Sequence, residues 1–277
     1  MEFSILMVKE FFKENLDALM EVFKSYGPLL SIESDRVIII GDLHGDIQSL
    51  INIINEYPLD KWTYVALGDY VDRGEHQLET LYLILKLKRE YVNRVFLLRG
   101  NHESPLMNFD YGFYMELVRK LGFHEADELY ERLTELFANM PVAAILNNNY
   151  FLVHGGLPKD VVTIDQISKL QKPDLMPSDY ITFQLLWNDP SDEVKDYAPN
   201  YVRGPGTYLF GSSITEEFLS KNDLLMVIRG HEYVKEGYKW NHGNKVLTIF
   251  TSRAGPYIGT EPHVAVIQGR ELILSRV

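Results

Sequence analysis

The sequence predicts an α/β protein, passing to α+β in its second half, with two mixed β-sheets packed as a central sandwich and flanked by helices. Three observations lead there. Residues 37–40, 64–67 and 95–98 are short apolar runs separated by segments of helical period, the pattern of βαβ units and a parallel sheet. Beyond residue 140 strand-like runs follow one another, and two pairs are joined across turn-forming residues, which suggests antiparallel pairing. Finally, 277 residues with 46% hydrophobic and 24% charged side chains can bury a substantial core.

The elements follow in order. Phe11, Leu16, Leu19, Met20 and Phe23 recur near helical spacing, predicting an amphipathic helix over 8–27 that Gly27-Pro28 stops. The run at 37–40 is a buried strand ending at Gly41-Asp42, with a helix at 47–57. A second strand at 64–67 ends at Gly68-Asp69, with a helix at about 76–91. The third, at 95–98, ends at Arg99-Gly100-Asn101-His102. Helices are expected at about 111–121 and 125–138. Strands at 142–146 and 150–153 flank Asn147-Asn148-Asn149, where asparagine tolerates left-handed backbone and a hairpin is natural. Residues 155–210, rich in Pro, Gly and Asp, are expected to form long loops around short helices. A helix at 214–221, a strand at 224–229 and strands at 233–240, 245–252, 262–268 and 271–276 complete the chain.

Composition narrows the chemistry. Without cysteine there are no disulfides, zinc knuckles, thiol nucleophiles or iron–sulfur ligands. The net charge of −12 argues against broad binding of nucleic acid or an anionic membrane, each of which needs a basic face. Lys9 and Glu10 interrupt the apolar run at the N-terminus, so no signal peptide fits, and no eighteen apolar residues run together. A soluble, cytoplasmic protein is expected.

The three early strands all end in metal-binding vocabulary: Gly41-Asp42-Leu43-His44-Gly45-Asp46, Gly68-Asp69-Tyr70-Val71-Asp72-Arg73-Gly74 and Arg99-Gly100-Asn101-His102-Glu103. Singly, each reads as a turn or a helix cap. In a parallel sheet, however, the strands' carboxyl ends share one edge, where α/β proteins bind ligands. That edge gathers Asp42, His44, Asp69, Asn101 and His102. Carboxylate, amide and imidazole donors together suit Mn, Fe or Zn better than Mg.

These endings match GDxHG, GDxVDRG and GNHE, and the chain resembles the PPP family of metal-dependent phosphoprotein phosphatases, the group that includes protein phosphatase 1 and calcineurin. The likeness spans 37–260 and includes His154-Gly155-Gly156, Trp187-Asn188-Asp189-Pro190, Arg203-Gly204 and Arg229-Gly230-His231. It implies a calcineurin-like metallophosphoesterase fold and a single catalytic domain over 1–277, with a helical segment at 1–28 and a core at 37–260. It also implies two divalent ions, most simply Mn, with Fe or Zn as alternatives. Asp42 and His44 would hold one ion, Asn101, His154 and His231 the other, and Asp69 would bridge them. Such a pair, about 3.5–4 Å apart, activates a hydroxide for in-line attack on phosphorus. His102 is then the general acid and Asp72 its orienting partner, while Arg73, Arg203, Asn101 and Tyr257 contact the phosphate. Glu103 is expected to support the ligands without being one. His76, His124, His242 and His263 are read as structural or exposed.

The implied substrates are phosphorylated proteins carrying phosphoserine or phosphothreonine, with phosphotyrosine a further possibility. A diadenosine tetraphosphate hydrolase shares the signatures and is the alternative. Metal-dependent nucleases of the wider group usually end in Gly-His-x-His, where this chain has Tyr233. A binding scaffold that had lost its chemistry would be expected to lack ligands. The 251–257 loop departs from the family pattern, and Arg253 there is expected to add a cation within reach of substrate. The short form resembles prokaryotic or archaeal members without an autoinhibitory or calmodulin-binding tail.

Overall fold

The computed structural model describes residues 3–160 and 163–277. Met1-Glu2 of the expected N-terminal segment and Val161-Val162 of the expected loop region lie outside them.

Helix α1 (Ile5–Ser25) buries Val8, Phe12, Leu16, Leu19 and Phe23 along one stripe. Strand β1 (Leu29–Ile32) follows directly, where the sequence reading has only a stop; four residues after Gly-Pro carry too little period to distinguish strand from loop. The βαβ run is as expected: β2 (Arg36–Ile40), α2 (Ile47–Glu56), β3 (Thr63–Ala66), α3 (Gln77–Glu90) and β4 (Val95–Leu97). Helix α4 (Pro105–Tyr111) was not expected, although Ser104 caps it and proline opens it. Next come α5 (Phe113–Leu121), α6 (Phe123–Ala138), β5 (Ala143–Leu146) and β6 (Tyr150–Val153). The last two pair antiparallel across the expected hairpin, in which Asn147 and Asn148 adopt φ of 52° and 55°.

The expected loop region contains α7 (Ile164–Ser168), α8 (Tyr180–Trp187) and three very short strands, β7 (Asp189–Pro190), β8 (Tyr197–Pro199) and β9 (Tyr208–Phe210), which form a small sheet of their own. Then follow α9 (Ser212–Lys221), β10 (Met226–Arg229), β11 (Tyr238–Asn241), β12 (Val246–Ile249), β13 (His263–Gln268) and β14 (Glu271–Arg276). The expected strand at 233–240 begins only at Tyr238; the residues before it form a loop that enters the site described below.

Two mixed sheets result, ordered β1-β5-β6-β10-β12-β11 and β14-β13-β2-β3-β4. The sheets do not divide along the chain. The C-terminal hairpin β13–β14 completes the sheet begun by β2, and β1 crosses to the other. Strand alternation builds the layers. Val37 and Ile39 of β2 join Ile228, Leu247 and Ile249 between the sheets, whereas Ile38 and Ile40 pack with Phe12, Leu50 and Leu81 beneath the helices. A third cluster lies against the outer face of the longer sheet, where Phe151 and Val227 meet Leu185 and Phe218. Among the described residues, no helix is long and apolar enough to cross a membrane.

The sheets touch where β2 and β12 end. Asp42 forms an isolated parallel bridge to Phe250, and a Cβ on Gly41 would lie 2.2 Å from the Ile249 carbonyl oxygen. Only glycine permits that approach.

Candidate active site

The turns after β2, β3 and β4 bring Asp42, His44, Asp69, Asn101 and His102 together, as the spacing predicts. The turns after β6 and β10, in the opposite sheet, add His154 and His231. All seven side chains are buried. A cavity of about 730 Å³ opens over them and reaches His44, Asp69, Asn101, His102 and His231. Arg73, Tyr111, Trp187, Arg203, Tyr233 and Tyr257 are among the residues that line its walls.

Two clusters of lone pairs meet on Asp69. The Nδ1 of His44 donates to the Val71 carbonyl at 2.8 Å, so Nε2 presents its lone pair to Asp42 Oδ2 at 3.7 Å and to Asp69 Oδ2 at 3.4 Å. The Nδ1 of His154 donates in the same way to the Leu67 carbonyl at 3.1 Å. Its Nε2 then faces Asp69 Oδ1 at 3.3 Å and Asn101 Oδ1 at 2.9 Å. His231 Nδ1 lies 2.9 Å from that same amide oxygen, while its Nε2 is buried without a partner among the described residues. Backbone carbonyls thus orient His44 and His154 so that their Nε2 atoms face carboxylate and amide oxygens, an arrangement that a cation between them would relieve. Around the carboxylates the backbone is stripped of side chains: a Cβ on Gly100 would come within 2.2 Å of Asp69 Oδ1, and one on Gly230 within 2.6 Å of Asp42 Oδ1.

Electrostatics agrees. Burial, with Asp69 beside it, pushes the Asp42 carboxyl up to about 6. Burial alone would raise Asp69 too, but the surrounding imidazoles of His154, His102 and His44 hold it well below the usual carboxylate range. Desolvation takes His44 down to about 3, leaving it a neutral ligand. For His231, burial and the nearby Arg203 act in the same direction. Glu103 accepts from the backbone N–H groups of Asp69, Tyr70 and Gly100 at 2.7, 2.9 and 2.8 Å, and so supports the turns as expected.

Beside the clusters, His102 Nδ1 donates to Asp72 Oδ2 at 2.7 Å, which leaves Nε2 free of that bond. The Arg73 guanidinium carbon lies 4.4 Å from the centroid of the Tyr111 ring, and its Nε is buried without a hydrogen-bond partner among the described residues. Arg203 is held by Asp189 Oδ2 at 2.9 Å, and Asp189 also accepts from the fully buried Arg229 at 2.8 Å. Tyr257 enters the cleft through its ring, stacked with His44, and the Tyr233 ring stacks on that of Tyr257 at 5.4 Å between centroids. Arg253 departs from expectation. It does not line the cavity; its guanidinium lies 3.2 Å from the Asn52 side chain on α2, and its backbone N–H donates to Asp46.

Sequence reasoning missed three participants. Asp189 and Arg229 fall within motifs already noticed, but no spacing rule links them. Asn108 sits on the unexpected helix α4, where only the Ser104-Pro105 start signal could have drawn attention to it.

Residues 35–235 match the family model described as calcineurin-like phosphoesterase. The chain belongs to that family. This bears out the resemblance read from the three strand endings. A curated relative, the serine/threonine-protein phosphatase BSL2 of Arabidopsis thaliana, is 35% identical over 270 residues, or 93% of this chain but 26% of the relative. The chain therefore spans about a quarter of that protein's length. Among solved structures, a protein serine/threonine phosphatase from Saccharomyces cerevisiae with similarity to human phosphatase PP5 superposes with a TM-score of 0.88 at 27% identity, covering 97% of this chain and 89% of that one. A cold-active protein-tyrosine phosphatase from a psychrophilic Shewanella shares the fold, with a TM-score of 0.67 at 17% identity over 93% of this chain and 83% of that one.

Proposed function

We propose that the chain is a metal-dependent protein serine/threonine phosphatase that hydrolyses phosphoserine and phosphothreonine monoesters in proteins. The observation that carries this reading is the likeness to the yeast phosphatase over nearly the whole chain, joined to a site in which two cation-sized clusters and two arginines line one cleft. Residues 1–277 act in this reading as one catalytic domain, since Phe12, Leu19 and Phe23 of α1 share a core with Ile38 and Tyr64. Residence in the cytoplasm belongs to the same proposal and is checked by cell fractionation.

Asp42, His44 and Asp69 would hold one divalent cation, and Asp69, Asn101, His154 and His231 the second, with Mn favoured and Fe or Zn compatible with the same donors. Bound there, such ions would supply positive charge to the phosphate oxygens and make water a nucleophile near neutral pH. The rest is the work of the chain. Arg73 and Arg203 grip the non-bridging oxygens, the fork of each guanidinium matching two of them. Arg203 is pre-oriented by Asp189, so binding does not have to order it. Tyr257 shields the His44 side of the cleft. His102 gives its proton to the departing serine or threonine oxygen as the P–O bond breaks, and Asp72 keeps the imidazole in the tautomer and orientation that this transfer needs.

The test is a substrate panel with metal-stripped enzyme refilled with manganese. Phosphoserine, phosphothreonine and phosphotyrosine peptides and diadenosine tetraphosphate are compared with and without chelator. Chelator-sensitive release from the serine and threonine peptides is expected. Preference for the dinucleotide would overturn the protein-phosphatase reading while leaving the metal chemistry in place.

A further inference from the structure

The Asp72–His102 pair is not held by its own hydrogen bond alone. Asn108, fully buried on α4, places its carboxamide nitrogen 2.9 Å from Asp72 Oδ2 and 2.7 Å from the His102 backbone carbonyl. Both neighbours are acceptors, so the amide must present its N–H groups to them. The amide oxygen faces outward from the pair and accepts from the Tyr130 hydroxyl at 3.3 Å. The second carboxylate oxygen, Asp72 Oδ1, accepts from the Phe113 backbone N–H at 3.0 Å.

We propose that Asn108 is a positioning residue for proton transfer to the leaving group, one NH₂ group fixing the Asp72 carboxylate and the His102 main chain to each other. The inference rests on the phosphoesterase reading given above. Its logic is geometric. Asp72 sits at φ 67° in the turn after β3, whereas His102 sits in the turn after β4, so two separate turns must agree for Nδ1 and Oδ2 to meet. Asn108 donates across both turns from a third element. Helix α4 is itself anchored by the Ser104 cap and, through Tyr130, to α6. Without the amide, the Asp72 carboxylate keeps one donor on each oxygen, His102 Nδ1 on Oδ2 and the Phe113 N–H on Oδ1, but loses its tie to the His102 main chain, so the two turns are no longer fixed to each other. Orientation of a group already within reach accounts for much of catalytic rate, and small misplacements are costly.

A positioning role for proton donation has a signature that loss of fold does not. Asn108→Ala is compared with wild type on phenyl phosphate and on p-nitrophenyl phosphate, both in manganese, and on a phosphoserine peptide. The variant is expected to lose roughly 30-fold in kcat on phenyl phosphate and on the peptide, where the leaving oxygen needs a proton, and less than about threefold on nitrophenyl phosphate, where it does not. KM and competitive inhibition by inorganic phosphate should stay near wild type. Equal loss on the two aryl esters, or a loss carried by KM, would overturn the proposal. Should Asn108→Ala fail to fold, Tyr130→Phe removes only the hydroxyl steadying the amide, and the same selective loss, at a few-fold, is expected. A wild type active on the aryl esters but not on the peptide would overturn the protein-phosphatase reading alone, since the two aryl esters still decide the role of Asn108.

Discussion

Tyr257 and His44 lie face to face, with ring centroids 5.5 Å apart and planes 25° from parallel. One ring is a candidate ligand and the other comes from the loop between β12 and β13. The stack continues to Tyr233, with Phe250 set edge-on against both tyrosines. That loop thus places its aromatic ring in register with the site.

Loss of that ring should therefore act on the cleft more than on the fold. Tyr257→Ala is expected to raise KM for nitrophenyl phosphate several-fold and to weaken metal retention, because aromatic packing worth about 0.5–1.5 kcal/mol no longer orients His44. Tyr257→Phe, which keeps the ring, should match wild type. Steady-state kinetics on both variants distinguishes the ring's contribution from that of the hydroxyl.

Asp69 faces both clusters, one oxygen to each. Asp69→Asn should leave less than one ion per chain after gel filtration and remove nearly all activity. Elemental analysis of the purified variant is the check; two tightly retained ions would show that the bridge is assigned to the wrong residue.

Asp189 holds Arg203 toward the cleft and also neutralises Arg229, which is buried to 0% exposure. Burial would raise the Asp189 carboxyl, but Arg229 and Arg203 together hold it below its ordinary value. Asp189→Asn keeps the shape and removes the charge. It is expected to destabilise by about 3 kcal/mol, as breaking a buried pair does, and to raise KM more than it lowers kcat. Arg203→Ala should reproduce the KM effect with much less loss of stability, which urea titration of both variants measures.

Lys88 of α3 is buried, and its Nζ donates to Tyr26 Oη, the Val92 carbonyl and the Val95 carbonyl at 2.7, 2.7 and 2.8 Å. Desolvation pushes its ammonium down to about 7, below the ordinary lysine value of 10.5. Between those two values the unfolded chain holds a proton that the folded chain has given up, so stability from this group rises with pH across that window. Lys88→Met should be less stable than wild type at pH 7, and the difference should widen toward pH 10. Chemical denaturation of the pair at several pH values measures that slope, and a flat difference would show that the ammonium stays charged throughout.

Much of the site was legible because its ligands follow strands whose apolar character is unmistakable. Val37–Ile40, Tyr64–Leu67 and Val95–Leu98 could hardly be anything but buried strands, and parallel pairing then forces Asp42, Asp69 and Asn101 to one edge. His154 and His231 were legible only through the resemblance, because nothing in local pattern says that β6 and β10 end at that edge. Periodicity is silent about which sheet a strand joins, which is why the transfer of β1 and β13–β14 went unseen. Short elements failed for a related reason. The strands β7 to β9 hold two or three residues each, too few to establish a pattern, and the seven-residue α4 that carries Asn108 is likewise too short. The direction of Arg253 was not legible because its side chain meets Asn52 on α2, about two hundred residues away in sequence.

The seam at Gly41 and Asp42 lies where the two sheets meet at the end of the core they share, and the six candidate ligands are drawn from both sides of it. Ions bound across such a seam act as a clasp whose strength follows their free concentration: at a hundredfold excess over Kd they add about 2.7 kcal/mol against any motion that parts the sheets. Amide hydrogens of Gly41, Asp42, Gly230 and His231 would then exchange more slowly as manganese is titrated in, while those of the α1–α6 layer would not. Occupancy of the candidate site and closure of the sandwich would then become one variable, read out far from any substrate.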